Sequence, residues 1–272
     1  MSLNTDGGAI RLNDIEDDSS LRRESPAAHI IYGTAQCINA ANYMVVMVLA
    51  ELQKLRSPAK TSILIELESL FLGQSEDLLW KYQVECPSTD EYMEMIDNSR
   101  EADQTAYVRR ADKIESETGG LFRLCFRLLQ AESSRADVRH LDPRPFVRQL
   151  SLYFQIRDDY QNLVSDQYAK QKGFAEDLGE GKISLPIILT LQRVRTRPEI
   201  MGIMKHKKPG PMPLEMKQFI VAEMRKSGAL EVTHKLLKEM QEELITELRR
   251  LERDFGSKNP TLELVLRKLW IQ

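Results

Sequence analysis

An all-helical fold follows from three features of this 272-residue sequence. Apolar residues recur at three- and four-residue spacing over long stretches, the period of a helix with one buried face. No stretch sustains the period-two alternation of β-branched and aromatic residues that marks strands. The 13 glycines and 11 prolines are sparse and fall mostly at the ends of the periodic stretches, where they stop helices. The length admits one large domain or two small ones.

The elements can be placed in order. Asn39 to Lys54 is apolar at helical spacing, and a second helix is expected from about Ala59 to Tyr82. Cys86-Pro87-Ser88 breaks the chain, and Ser88 or Thr89 can cap a helix through Met93 and Ile96. Residues 98–116 are dense in charge and thin in large apolar side chains. They read as a solvated helix extension or an exposed excursion. Glu117-Thr118-Gly119-Gly120 is a break before an apolar helix from Leu121 to Gln130. Pro143 and Pro145 open a long helix to Val164, with Phe146, Leu150, Tyr153 and Phe154 on one face. Gly173 to Pro186 and Pro209 to Pro213 are loops. Leu230 to Phe255 is a long amphipathic helix, and Thr261 to Trp270 a short last one. No repeat of fixed period and no low-complexity tract interrupts this plan.

The chain is 42% hydrophobic and 29% charged, with a formal net charge of -3. That suits a soluble protein with a sizeable core and gives no bulk reason to expect a nucleic-acid partner. Cys37, Cys86 and Cys125 are scattered, which reads as buried reduced thiols and not as a disulfide framework or a zinc site. Met1 to Asp18 lacks the apolar region of a secretory signal, and the run Tyr43 to Ala50 is too short to cross a bilayer. A cytoplasmic protein without a transmembrane segment is therefore expected. The terminal Leu269-Trp270-Ile271-Gln272 is not a peroxisomal tripeptide.

Chemistry is concentrated at two acidic clusters. Asp158 and Asn162 stand four apart on the long helix and share a face, with Asp159 beside them. Carboxylates among Phe154, Ile156 and Leu163 are costly to bury unless something positive meets them. Spacing alone leaves two readings: a solvated polar stripe, or a site for a hard cation such as magnesium, which takes oxygen ligands. Asn13-Asp14-Ile15-Glu16-Asp17-Asp18 is the second cluster. If helical, it pairs Asn13 with Asp17 and Asp14 with Asp18; its bland reading is an acidic turn at a helix end. Arg22 and Arg23 follow it, and guanidinium forks suit phosphate oxygens. Lys172 and Lys182 flank the loop after the first-named cluster. The four histidines are scattered, and His234 reads as an exposed helix residue.

These segments resemble the trans-prenyl diphosphate synthases, with wording closest to fungal geranylgeranyl diphosphate synthases of diterpene and indole-diterpene pathways. Leu12 to Tyr32 is similar to that family's first aspartate-rich region, Phe154 to Leu163 to its second, and Lys172 to Pro186 to the loop after it. Ile38 to Tyr43, Gly73-Gln74 and Thr118 to Phe122 are smaller matches, in order along the chain.

The resemblance implies one isoprenoid synthase-type bundle of antiparallel helices over residues 1–272 around a central cavity, usually a homodimer. It implies that the family's most N-terminal helices are missing from the sequence and that 98–116 is an insertion. It also implies head-to-tail condensation of isopentenyl diphosphate with an allylic diphosphate, farnesyl diphosphate being the expected one, to give geranylgeranyl diphosphate. About three magnesium ions would bridge the acidic motifs and the allylic diphosphate. By position, Asp14, Asp17, Asp158, Asp159 and Asn162 would face metal. Arg22, Lys172 and Lys182 would hold the allylic diphosphate, with Gln155 and Thr118 nearby, and Arg23 would hold isopentenyl diphosphate.

The sequence departs from the family pattern at four places. Asn13 stands where the first motif has an aspartate, Glu117 where a lysine precedes Thr118-Gly119-Gly120, Glu24 where a glycine follows the arginine pair, and Phe71 where a histidine precedes Gly73-Gln74. These leave a second reading beside the active enzyme: a catalytically impaired homologue acting as a regulatory or structural subunit.

Overall fold

A computed structural model describes residues 8–22, 25–54, 141–194, 197–206 and 212–271, with isolated positions between 71 and 133. The helices expected over 59–82, 89–96 and 121–130, and the charged stretch 98–116, lie outside the described residues apart from those isolated positions.

The N-terminal part comprises α1 (Gly8–Glu16), α2 (Ala28–Tyr32) and α3 (Thr34–Leu52), with α1 and α2 both packed on α3. Two-residue strands β1 (Leu21–Arg22) and β2 (Ser25–Pro26) pair antiparallel between α1 and α2, too short to have left a period-two signal. The first acidic cluster is thus helical only as far as Glu16. Asp17 and Asp18 form a turn, with Asp18 in the left-handed region at φ 56. Gly33, at φ 83, separates α2 from α3, so the apolar helix begins at Thr34, five residues before the expected Asn39.

The full length of α3 changes the membrane expectation. Its 19 residues carry no charge before Glu51, and it is long and apolar enough to cross a membrane by length and composition alone. The run Tyr43 to Ala50 is only its second half; Cys37, Ile38 and three alanines extend it. A core helix of a soluble protein has the same two properties.

The C-terminal part is helix on helix. The longest pair, α4 (Arg144–Val164) and α10 (Ala229–Phe255), pack together. Between them in sequence come α5 (Asp166–Lys172), α6 (Glu176–Glu180), α7 (Leu185–Arg193), α8 (Arg197–Lys205) and α9 (Leu214–Lys226), and α11 (Pro260–Leu269) closes the chain. The segment Gly173 to Pro186, read as a loop, contains α6. Glu176 and Asp177 in its first turn favour a helix start.

The hydrophobic core has two lobes. Phe146, Val147, Tyr153 and Ile156 of α4 meet Leu237, Leu244 and Leu248 of α10, with Leu266 and Ile271 beyond. Leu163 of α4 meets a second set that includes Leu178, Ile187, Leu191, Ile220 and Met224. Helix α4 therefore runs from one lobe to the other, and its acidic stretch 158–162 lies between them. Cys37 is buried and Cys86 half-buried; Cys125 is outside the described residues.

Candidate functional site

The site is built on the last two turns of α4. Asp158 is half-buried, while Asp159 and Asn162 are 3% and 1% exposed. Successive residues on a helix point about 100° apart, so the two aspartates serve different neighbours. Lys182 donates from Nζ to Asp159 Oδ1 at 3.0 Å, and Gln155, one turn earlier, donates from Nε2 to the same oxygen at 3.0 Å. Tyr168 donates its hydroxyl to Asp158 Oδ1 at 2.9 Å, and Arg157 donates from Nη1 to that hydroxyl at 3.4 Å. Asn162 Oδ1 accepts from the backbone N–H of Asp177 at 3.3 Å, which leaves its buried Nδ2 without a hydrogen bond.

The backbone explains how these groups arrive. At Ser165 the chain turns extended and ends α4; the Ser165 hydroxyl then accepts from Tyr168 N at 3.3 Å and caps α5. That single break folds the first turn of α5 back so that Tyr168 reaches Asp158. Gly181, at φ 82, ends α6: its N–H bonds Leu178 O at 3.2 Å and the next N–H, of Lys182, bonds Asp177 O at 2.9 Å. This glycine-terminated turn redirects the chain and fixes the Lys182 backbone at the end of α6.

Electrostatics at the site are strained in one direction. Burial pushes the Asp159 carboxyl above its ordinary range; the Lys182 ammonium opposes this and the neighbouring Asp158 charge adds to it. Burial also raises the Tyr168 phenol, and the Asp158 carboxylate raises it further. Added positive charge beside these adjacent carboxylates would stabilise their ionised forms.

The first acidic cluster joins from the N-terminal part. Asp14 is 3% exposed and pairs with Arg22 Nη1 at 3.3 Å. Ser19, buried just beyond the α1 turn, donates its hydroxyl to Glu180 Oε1 of α6 at 2.7 Å. Strand β1 packs on α5. So the structure ties both acidic regions to the same small segment, although the Ser19–Glu180 partners are 161 residues apart.

Of the residues singled out in the sequence, Asp158, Asp159, Asn162, Gln155 and Lys182 come together, and Asp14 with Arg22 forms an attached pair. Asp17 is half-buried in the turn after α1. Lys172 is the last residue of α5. Arg23, Thr118, Glu24 and Glu117 lie outside the described residues, and Phe71 is exposed. Sequence reasoning missed Tyr168, Ser19 and Glu180. It also missed His234, which is half-buried and stacks on Tyr160 with centroids 5.8 Å apart and rings 6° from parallel. The lone histidine on an amphipathic helix carried no sign of the tyrosine that covers it.

The donor set here is oxygen, which suits a hard divalent cation. Among the described residues, however, no three His, Cys, Asp or Glu side chains stand together as a ready metal cage. Such a set fits a cation that arrives with a ligand bringing its own oxygens, as magnesium does with phosphates.

The polyprenyl synthetase profile matches residues 11–212, which contain both acidic clusters, Lys182 and helices α2 to α8. The chain belongs to the polyprenyl synthetase family. It is 74% identical over 266 residues to colleterpenol synthase of Colletotrichum gloeosporioides, covering 97% of this chain and 33% of that protein. It is 51% identical over 265 residues to geranylgeranyl pyrophosphate synthase 3 of Zymoseptoria tritici, covering 97% of this chain and 68% of that one. Quiannulatene synthase of Emericella variicolor is 48% identical over 97% of this chain and 33% of its own length. This polyprenyl synthetase family member therefore spans about a third of the length of the two terpene synthases.

Proposed function

We propose that the chain is a magnesium-dependent prenyltransferase domain that condenses isopentenyl diphosphate with an allylic diphosphate, farnesyl diphosphate, to give geranylgeranyl diphosphate. The observation that carries this reading is the cluster in which Lys182 and Gln155 hold Asp159 while Tyr168 holds Asp158. Family membership and the 51% identity to a geranylgeranyl pyrophosphate synthase support it.

In this reading Asp158, Asp159, Asp14 and Asp17 hold magnesium, with Asn162 beside them. When bound, magnesium supplies charge that stabilises the departing pyrophosphate. Lys182, Lys172 and Arg22 bind the allylic diphosphate, with Gln155 and Thr118 near it, and Arg23 binds isopentenyl diphosphate. Lys182 and Arg22, which pair with Asp159 and Asp14 in the structure, would offer their charge to phosphate oxygens where magnesium holds those carboxylates. Loss of diphosphate creates an allylic cation, which the isopentenyl alkene attacks before a proton departs; apolar walls keep water from quenching the cation.

The active unit is a homodimer of single-domain chains, supported by exposed Tyr43, Val46, Met47 and Val48 along α3. The high identity to terpene synthases supports a place in diterpene or related secondary metabolism, and the expected address is cytoplasmic.

The experiment is to incubate purified protein with magnesium, labelled isopentenyl diphosphate and farnesyl diphosphate, and to look for a labelled C20 diphosphate. Product formation that falls at least about 100-fold in Asp159→Ala is the expected outcome. Folded protein that binds both substrates and makes no product instead supports the impaired, regulatory homologue. The half-buried amide Asn13, in place of a carboxylate, is the observation favouring that second reading.

A further inference from the structure

Helix α9 enters the site's surroundings through one side chain. Lys217 is 6% exposed, and its ammonium donates to Glu176 Oε2 at 2.6 Å and to the Phe174 carbonyl at 3.1 Å. Both partners belong to the segment Gly173–Gly181, which delivers Lys182 to Asp159 and Asp177 N to Asn162. The fit around this contact is close. A Cβ on Gly179 would stand 3.1 Å from the Lys217 Nζ and 3.2 Å from its Cε, and a Cβ on Gly173 would stand 3.1 Å from Glu176 Oε2. Between Phe174 and Glu176, the buried Ala175 holds a left-handed conformation at φ 46. A non-glycine residue keeps such a conformation only when its surroundings impose it. A buried ammonium with one carboxylate and one carbonyl for partners is an imposition of that kind, because breaking the pair strands a charge away from water.

We propose that Lys217 is a positioning residue for the diphosphate site, acting through Glu176 and the Phe174 carbonyl to fix the segment that places Lys182 against Asp159. The inference rests on the reading of Lys182 and the aspartates as a magnesium–diphosphate site. Lys217 touches neither substrate nor metal; it sets the geometry of the groups that do. A role in folding alone would be the plainer explanation, since α9 also supplies Ile220, Val221 and Met224 to the core. The two roles differ in what they do to ligand binding by folded protein.

The test is calorimetric titration of the full chain with inorganic pyrophosphate in magnesium chloride. It compares wild type, Lys217→Met, Gly179→Ala, Lys182→Ala and the last combined with each of the first two. Gly179→Ala crowds the Lys217 ammonium without deleting a charge, and alanine suits a helix, so it carries the test even where Lys217→Met does not fold. Ile220→Val is the control for lost stability alone. Lys217→Met and Gly179→Ala should each weaken pyrophosphate by about tenfold, the usual scale for a residue that orients a ligand-binding group. In the Lys182→Ala background the same changes should cost less than about twofold, since coupled residues are not additive. Ile220→Val should bind as wild type does. Folded Lys217→Met and Gly179→Ala proteins that bind at wild-type affinity overturn the role, as do losses that add in full to that of Lys182→Ala. A wild-type protein that takes up no pyrophosphate overturns the functional reading beneath it, a result distinct from either.

Discussion

At the residue scale, the informative contrast is between two adjacent aspartates. Asp159 is buried and answered by an ammonium; Asp158 is half-buried and answered by a phenol. A phenol donates one hydrogen bond and carries no charge, so Tyr168 orients the Asp158 carboxylate without neutralising it. Tyr168→Phe should keep the fold and weaken magnesium-dependent pyrophosphate binding by about 10-fold or more, as loss of an orienting partner does. Titration calorimetry at several magnesium concentrations measures it, and an unchanged affinity would remove Tyr168 from the site. Asp158 and Asp159 stood out in the sequence as carboxylates inside an apolar helix, but spacing left a solvated stripe open, and the family resemblance pointed to a site. Tyr168 did not stand out, because a tyrosine six residues past Asn162 has no pattern to distinguish it from a packing residue. Its part depends on the break at Ser165, which only the folded backbone displays.

At the element scale, α4 does two jobs, and Tyr153 shows how the first supports the second. Its ring is fully buried, and its hydroxyl donates to Leu269 O at 3.0 Å while accepting from Gln241 Nε2 at 2.8 Å and Ile271 N at 3.3 Å. One phenol thereby joins α4, α10 and the chain after α11. Tyr153→Phe leaves those buried partners unanswered and should cost about 1–3 kcal/mol, read from urea unfolding. Burial also holds the Tyr153 phenol above its ordinary ionisation range. A folded-state value above the unfolded one means that the neutral phenol's stabilisation is complete below the unfolded value of about 10 and is lost as pH rises through the folded value. Wild type should therefore lose stability at alkaline pH by a component that Tyr153→Phe lacks; parallel alkaline unfolding curves for the two proteins would refute it. The helices α4, α10 and α11 were legible because periodic stretches that begin at a proline, in α4 and α11, or after Gly228, in α10, leave few alternatives. Helix α6 was not, since five residues rich in glycine and acids carry no period, and its start depends on a left-handed alanine that nothing in the sequence announces. Helix α3 was expected from Asn39 and begins at Thr34, after Gly33 at φ 83; its membrane-length apolar character was missed because an unbroken apolar run stops at Asn42, which a helix tolerates.

At the scale of the whole molecule, the question is how acidic regions so distant in sequence come to one place. The described contacts give a specific answer: the Ser19 hydroxyl reaches Glu180 of α6, and β1 lies on α5. Order along the chain and likeness to a family indicated that the two regions belong together, but the residues that join them are a serine and a glutamate of types found on any surface. Nothing local marks such a pair, and only the packed arrangement assigns it. The same α6 that carries Glu180 ends at Gly181 and sets Lys182, so this contact links Asp14 and Arg22 to Lys182 through a few residues. If it is a joint of the site, its loss should be felt on both sides. Ser19→Ala should raise amide hydrogen exchange over 12–22 and over 174–182 together, and weaken magnesium–pyrophosphate binding severalfold, the effect of losing one charge-assisted hydrogen bond worth about 1.5–3 kcal/mol when buried and less here, where Glu180 is half-buried. Asn13→Asp is the complementary change, adding a carboxylate to the N-terminal side, and should strengthen magnesium dependence in wild type more than in Ser19→Ala, because an extra ligand helps only where the two sides are held together. Exchange that rises on one side alone, or an Asn13→Asp gain equal in both backgrounds, would mean that the acidic regions act separately.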